Sequence, residues 1–256
     1  MSPYYALLRL GLRTLGRLSY GIDLGWRAGF DSGRVLDHVY RNEARGTTPL
    51  GRLIDRAYLD APGWKGARAR REILIRQLRD AIGRYGAATV LDTAAGQASY
   101  LFAIAPGTAT YWACDSSADE VAAGEARARR AGRADIRFAR ADAFDHRGWP
   151  VASADVLVTS GFFDILTEPE QFRRVIAAGS AITRPGARWV FTMMEAHDDL
   201  ALMREVLVTR ERRPWVAVVR PAEEIVEWAR AAGWEPERLE REPQRFYAIA
   251  SLVRAR

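Results

Sequence analysis

Four aspartates carry the chemistry this chain offers. Asp92 closes the apolar pair Val90-Leu91, and Asp115 closes Thr110–Cys114. Asp142 follows Ile136–Arg140, and Asp164 stands shortly after Ala154–Ser160. Each run has strand length, so carboxylates recur at or just past successive strand ends, where ligands sit in open α/β sheets. Between the first two, Thr93 to Ala98 are all small apart from Gln97. Small residues let a backbone approach a ligand closely. Free N–H groups at a helix start, expected at Ser99-Tyr100-Leu101-Phe102, favour polar or anionic atoms. Asp115 lies 23 positions beyond Asp92, near the spacing at which an acid grips a ribose hydroxyl pair. A small-residue turn also serves plain close packing, and the phosphate pattern G-x-G-x-x-G is absent: Gly96 is flanked by alanines at 94, 95 and 98. Alanine suits such a turn wherever positive φ is not needed.

Elements in α/β alternation must position these residues. Ahead of them, residues 4–20 predict a basic amphipathic helix with Leu8, Leu12 and Leu15 on one face and Arg9, Arg13 and Arg17 beside it. Gly25 to Gly33 reads as a glycine-punctuated loop, with Asp31 and Ser32 as caps for a helix over 34–44. Thr48-Pro49 starts another helix to Leu59, and residues 68–85 form a long charged helix with Ile73, Ile75, Leu78 and Ile82 turned to the sheet. Beyond the fourth strand come a helix from Glu168-Pro169 to about Ala181, a fifth strand over 188–194, and a helix over 198–208. An extended piece over 215–219, a helix from Pro221 to Ala232, and strands over 235–241 and 245–253 complete the chain. The pattern predicts an α/β, Rossmann-like, seven-stranded mostly parallel sheet with a terminal antiparallel strand and an N-terminal helical extension. The domain boundary is expected between residues 1–66 and 67–256.

VLDTAAGQASY, YWACDSS, FARADAFD and ADVLVTSGFFDIL resemble the ordered motifs of class I S-adenosylmethionine-dependent methyltransferases, over roughly residues 86–256. Phe30 to Trp64 resembles the leader of a bacterial group assigned as methyltransferases, some of whose members are fused to an α/β-hydrolase domain. The resemblance implies S-adenosylmethionine as cofactor. It implies a first motif of Asp92, Thr93, Ala94, Gly96 and Tyr100 near the methionine end, and Asp115 with Ser116 at the ribose. Asp142 with Ala143 would face the adenine, and Ser160 with Gly161 would follow the fourth strand. By analogy with the bacterial group, Tyr40, Arg41 and Asn42 are polar candidates at the substrate mouth, although a half-buried Tyr40 with a local partner is the simpler state.

Methyl transfer to an alcohol, phenol or active methylene needs a general base. His197, just past the fifth strand, is one candidate and Asp164 the other, with a structural or binding role for Asp164 ranked above catalysis. An amine acceptor brings its own lone pair. The asparagine-proline-proline-aromatic motif of many amino-group methyltransferases is missing where this chain reads SGFFD.

Composition bounds the rest. With 256 residues, 48% hydrophobic and 27% charged, the chain can bury one good core and add a helical extension. The single cysteine, Cys114, falls in a strand and fits a reducing compartment, so the expected location is cytoplasmic. No C-x-x-C or H-E-x-x-H pattern occurs, and no metal is expected. A net charge of +6, almost wholly arginine, suits anionic partners. Three readings follow. The first is a methyltransferase of a small-molecule or lipid-like acceptor, with residues 1–20 touching the inner membrane surface and a functional link to an α/β-hydrolase. The second is an RNA methyltransferase, disfavoured because no RNA-binding module is recognisable. The third is a non-catalytic cofactor-fold protein that partners a lipid-modifying enzyme.

Overall fold

The computed structural model describes residues 2–107 and 109–256; Met1 of the expected N-terminal extension lies outside them. The chain divides into two compact units. One comprises Met1–Ala69 with Ala196–Ala217 and Pro243–Phe246; the other comprises Arg70–Glu195, Val218–Glu242 and Tyr247–Arg256. The first boundary falls inside a helix, three residues beyond the expected one, and two later segments join the first unit.

The first unit is helical. It holds α1 (Pro3–Arg13), α2 (Tyr20–Ala28), α3 (Gly33–Arg41), α4 (Pro49–Leu59) and the start of α5 (Pro62–Ile82). The amphipathic segment is not one helix to residue 20. It ends at Thr14, whose Oγ1 bonds back to the Leu10 carbonyl at 2.8 Å, and a 3₁₀ turn, Leu15–Leu18, follows. The expected loop from Gly25 begins inside α2, where glycine serves packing: a Cβ on Gly25 would lie 2.2 Å from the Phe30 ring. The caps follow from short polar side chains. Ser19, Ser32 and Thr48 accept backbone N–H bonds at the starts of α2, α3 and α4, and Pro49 takes the first turn of α4.

The unit is tied by one buried carboxylate. Asp55 Oδ1 accepts from Ser19 Oγ at 2.6 Å and the Gly21 N–H at 2.7 Å. Its Oδ2 meets His38 Nε2 at 2.9 Å and accepts the Arg45 N–H at 2.7 Å. Burial pushes this carboxyl up, yet the four hydrogen bonds outweigh burial and hold it below its ordinary value. The serine and histidine both contact the aspartate, so this is a structural knot and not a nucleophile relay.

The second unit contains a seven-stranded sheet in the order β3-β2-β1-β4-β5-β7-β6. The strands are β1 (Thr89–Asp92), β2 (Thr110–Asp115), β3 (Ile136–Arg140), β4 (Ala154–Thr159), β5 (Thr183–Met194), β6 (Trp234–Arg241) and β7 (Tyr247–Arg254). β1 to β5 run parallel, and β7 lies antiparallel between β5 and β6. The expected fold class is met. Helices α6 (Ala118–Arg130), α7 (Pro169–Ala181) and α9 (Ala222–Ala231) complete this unit; α8 (Leu200–Val206) belongs to the first. One side of the sheet buries Phe163, Phe172, Trp189, Phe191 and Trp234. The other buries Leu74, Leu78, Tyr111 and Val156.

One expectation about this unit fails. Among the described residues no α-helix follows β1 before β2: a turn leads only to a 3₁₀ segment, Leu101–Ala103, because Pro106 lies close behind and disfavours helical backbone in the residue before it. Residues 215–219, expected as an extended piece, lie outside the sheet, and an isolated bridge just before them joins Val208 to Pro214.

Candidate active site

The switch in strand order lies between β1 and β4, and the loops after β1, β2, β3 and β4 open at the carboxyl edge of the sheet. This is where an open α/β sheet takes its ligand. In register, Asp92 sits beside Ala113 of β2 and Val158 of β4.

The β1 loop is built from its own backbone donors. Ala95 N–H donates to the Cys114 carbonyl at 2.7 Å, and Thr93 N–H to the Val158 carbonyl at 3.1 Å. Thr93 Oγ1 meets Thr159 Oγ1 at 3.0 Å. Gly96 takes φ 52 and Ala98 takes φ 48, so the turn does need the left-handed region at an alanine, a strain of about 1–2 kcal/mol. No atom lies within 4 Å of a Cβ placed on Gly96, leaving open space over the loop at its glycine.

Two carboxylates face this loop. Asp115 Oδ2 accepts the Gly96 N–H at 2.8 Å and Oδ1 the Ser117 N–H at 2.9 Å. An ionised carboxylate offers about four acceptor positions, so two remain for a diol. Asp92 is 1% exposed. It accepts the Tyr100 hydroxyl at 2.5 Å and the Ala94 N–H at 3.2 Å. Burial pushes its carboxyl up to about 7, with the Asp115 charge adding to the rise and the two hydrogen bonds opposing it. A cation bound nearby would favour the ionised form.

The remaining cofactor candidates line the same edge. Ser116 is exposed, and its carbonyl accepts Arg140 Nε at 3.1 Å. Asp142 is exposed, with Oδ1 accepting the Phe144 N–H at 2.9 Å, and Ala143 is buried. Ser160 is half-buried. Gly161, at φ 75, donates its N–H to Thr192 Oγ1 at 2.9 Å.

The catalytic candidates fall in both units. Asp164 lies in the second unit, and Tyr40 and His197 in the first. Each Asp164 oxygen accepts one bond: Oδ2 from Arg70 Nη1 at 3.0 Å and Oδ1 from the Met194 N–H at 2.6 Å. Burial raises this carboxyl, while Arg70 and the Met194 N–H pull it down. His197 stacks on Phe246 with centroids 3.8 Å apart, and its Nδ1 accepts the Asp199 N–H at 3.1 Å. In the neutral ring that bond leaves the proton on Nε2, which then donates and cannot accept. Tyr40 is half-buried on α3. Asn42 caps α3 at φ 54 and accepts Arg56 Nη2 at 2.6 Å.

Arg70 escaped the sequence reading. It is 7% exposed, pairs with Asp164, and lies over the Tyr247 ring at 4.4 Å. A signal existed: Arg70 falls on the same α5 stripe as Ile73, Leu74, Gln77, Leu78 and Ala81, all buried. A charge on an apolar stripe calls for a buried partner.

Fold and edge geometry define an α/β protein with an aspartate, Asp115, at the end of β2 facing a small-residue loop. Residues 1–250 match the family described as "Putative methyltransferase", and the chain belongs to that family. A relative in Escherichia coli (strain K12), the uncharacterized protein YnbC, is 32% identical over 242 residues, 90% of this chain. The chain spans about 41% of that relative's length. Among solved structures, a possible exported protein from Bordetella parapertussis superposes with TM-score 0.69 at 17% identity, covering 100% of both chains. Magnesium protoporphyrin IX methyltransferase from Synechocystis PCC 6803, with bound SAH, superposes with TM-score 0.62 at 13% identity, covering 90% of this chain and 99% of that one. At these identities the likeness shows the fold.

Proposed function

We propose that the protein transfers a methyl group from S-adenosylmethionine to a small-molecule or lipid-like acceptor that arrives with its own lone pair. The observation that carries the cofactor is the Asp115 carboxylate, pinned to the Gly96 loop and retaining acceptor capacity for a ribose diol. The cofactor, when bound, supplies an electrophilic methyl on a sulfonium. Asp115 would hold its ribose, Asp92 would face its positive end, and Asp142 with Ala143 would border the adenine. The protein's task is then to align acceptor, methyl and sulfur.

The acceptor reading rests on the two base candidates. Asp164 is committed to an ion pair with the Arg70 guanidinium at 3.0 Å, and His197 has its lone pair engaged. A hydroxyl acceptor would need a base that neither supplies in this arrangement, whereas an amine would not. Turnover of amine against hydroxyl forms of one acceptor scaffold tests this point. Preference for the hydroxyl form, with a bell-shaped rate profile lost in a His197→Gln variant, contradicts it. A functional link to an α/β-hydrolase domain is proposed from the resemblance of residues 30–64 and the greater length of the relative. A cytoplasmic location belongs to the same proposal. No helix among the described residues is long and apolar enough to cross a membrane.

A further inference from the structure

The large apolar side chains that this protein leaves in water concentrate in the first unit. Tyr4, Leu7 and Leu10 on α1, Leu15 in the 3₁₀ turn, and Leu50 and Leu53 on α4 are each more than half exposed. Outside residues 4–53, the described residues add only Ile165 and Val216. Single exposed leucines need no explanation, but a concentration of this kind marks an interaction surface.

The exposed face of α1 is not the one that anchors it. Of Leu8, Leu12 and Leu15, the apolar face expected from the sequence, Leu8 and Leu12 are half-buried while Leu15 falls beyond α1 and is exposed, and α1 packs against α8. Tyr4, Leu7 and Leu10 lie round the helix from them and remain spare. The 3₁₀ turn carrying Leu15 packs against both α1 and α4, so the exposed residues belong to adjoining elements.

Charge names the partner. Residues 2–22 carry Arg9, Arg13 and Arg17 and no acid, and residues 47–54 carry Arg52 and no acid. Arg17 pairs with Asp23 at 3.1 Å, an acid shared with Arg27. Tyr20, just past the 3₁₀ turn, also lines a hollow of about 160 Å³ with Arg34, Arg41 and Arg45 over the buried His38. Asp37 is the acid in that lining, and Arg45 faces Glu43 at 2.8 Å. Arg34 and Arg41 have no ion-pair partner among the described residues. Guanidinium groups around a small hollow suit a phosphate.

We propose that this face docks on an anionic phospholipid bilayer, the exposed leucines entering the acyl boundary and the arginine hollow taking a headgroup phosphate. The proposal does not depend on what the second unit methylates.

The test is sedimentation of the full chain with phosphatidylglycerol–phosphatidylcholine vesicles and with phosphatidylcholine alone. Two variants go alongside, Leu7→Asp/Leu10→Asp/Leu53→Asp and Arg34→Gln/Arg41→Gln, with circular dichroism to check the fold and light scattering to give the mass. The wild type partitions onto the anionic vesicles, weakening as salt rises. Partitioning falls about tenfold in the leucine variant and several-fold in the arginine variant, which leaves the apolar face intact. Equal partitioning of all three proteins overturns the proposal. So does a wild type that ignores vesicles but forms a dimer the leucine variant lacks, since that face would then serve a second copy.

Discussion

The Asp115 carboxylate holds the Gly96 backbone N–H at 2.8 Å, joining the end of β2 to the loop after β1. This one bond brings together the acid that would grip a ribose and the loop that would pass under the methionine end. Because Asp115 supports the loop and would also hold a ligand, its removal should be felt twice: once in lost acceptors and once in a less ordered turn.

Asp92 should make stability fall with rising pH. Its folded value, about 7, lies above its ordinary value near 3.8. Between the two, the folded state binds more protons than the unfolded state, so stability declines across that window and levels off above it. Asp92→Asn removes the titration and should flatten the profile. It should also raise cofactor-free stability at pH 8 by about 1–3 kcal/mol. Denaturant unfolding of both proteins from pH 4 to 8 checks this; parallel profiles would refute it.

Asp55 works in the opposite direction. Its folded value lies below the ordinary one, so its stabilisation is present above about pH 4 and lost as pH falls through the folded value. Asp55→Ala strands the Ser19, Gly21 and Arg45 donors and should cost about 3–5 kcal/mol at pH 7. In urea titrations the gap should narrow in acid. A gap independent of pH would show that the knot carries no charge.

The Arg70–Asp164 pair should behave as structure. Asp164→Ala takes the facing carboxylate away from a buried guanidinium, at a cost of about 3–5 kcal/mol. Arg70→Met combined with Asp164→Asn should recover most of it, with Asn still able to accept the Met194 N–H. Thermal unfolding of the single and double variants measures the coupling. An Asp164→Asn protein of unchanged stability but abolished turnover would restore the catalytic role.

Ala98 is strained yet 1% exposed. Ala98→Gly should therefore change stability by under about 0.5 kcal/mol, since strain relief of about 1 kcal/mol offsets a lost buried methyl of about 0.8 kcal/mol and the entropy of glycine. Ala113→Gly, buried in a strand of ordinary backbone, should cost more than about 1 kcal/mol. Equal losses at the two positions would mean that the turn is unstrained.

Much of this was legible in the residues. Strands ending in Asp92 and Asp115 showed themselves as short apolar runs closed by an acid, and the alternation with helices set the sheet. The missing helix after β1 was less visible, because Ser99–Phe102 has helical composition and the proline that stops it lies beyond. Local composition also fails at Gly25, where glycine admits the Phe30 ring and does not turn the chain. In α1 the apolar residues cover two faces, and nothing in their spacing says which one packs on α8. The Asp164–Arg70 pair joins residues 94 positions apart, and the stripe on α5 marks Arg70 as buried without naming its partner.

Calorimetric titration of S-adenosylmethionine into the purified protein, with Asp115→Ala alongside, tests the central claim most directly. Saturable binding to the wild type, weakened in the variant by about 1–3 kcal/mol, or roughly 5- to 150-fold, is the predicted result. Absence of binding to well-folded wild type, or equal affinity in the two proteins, would contradict it.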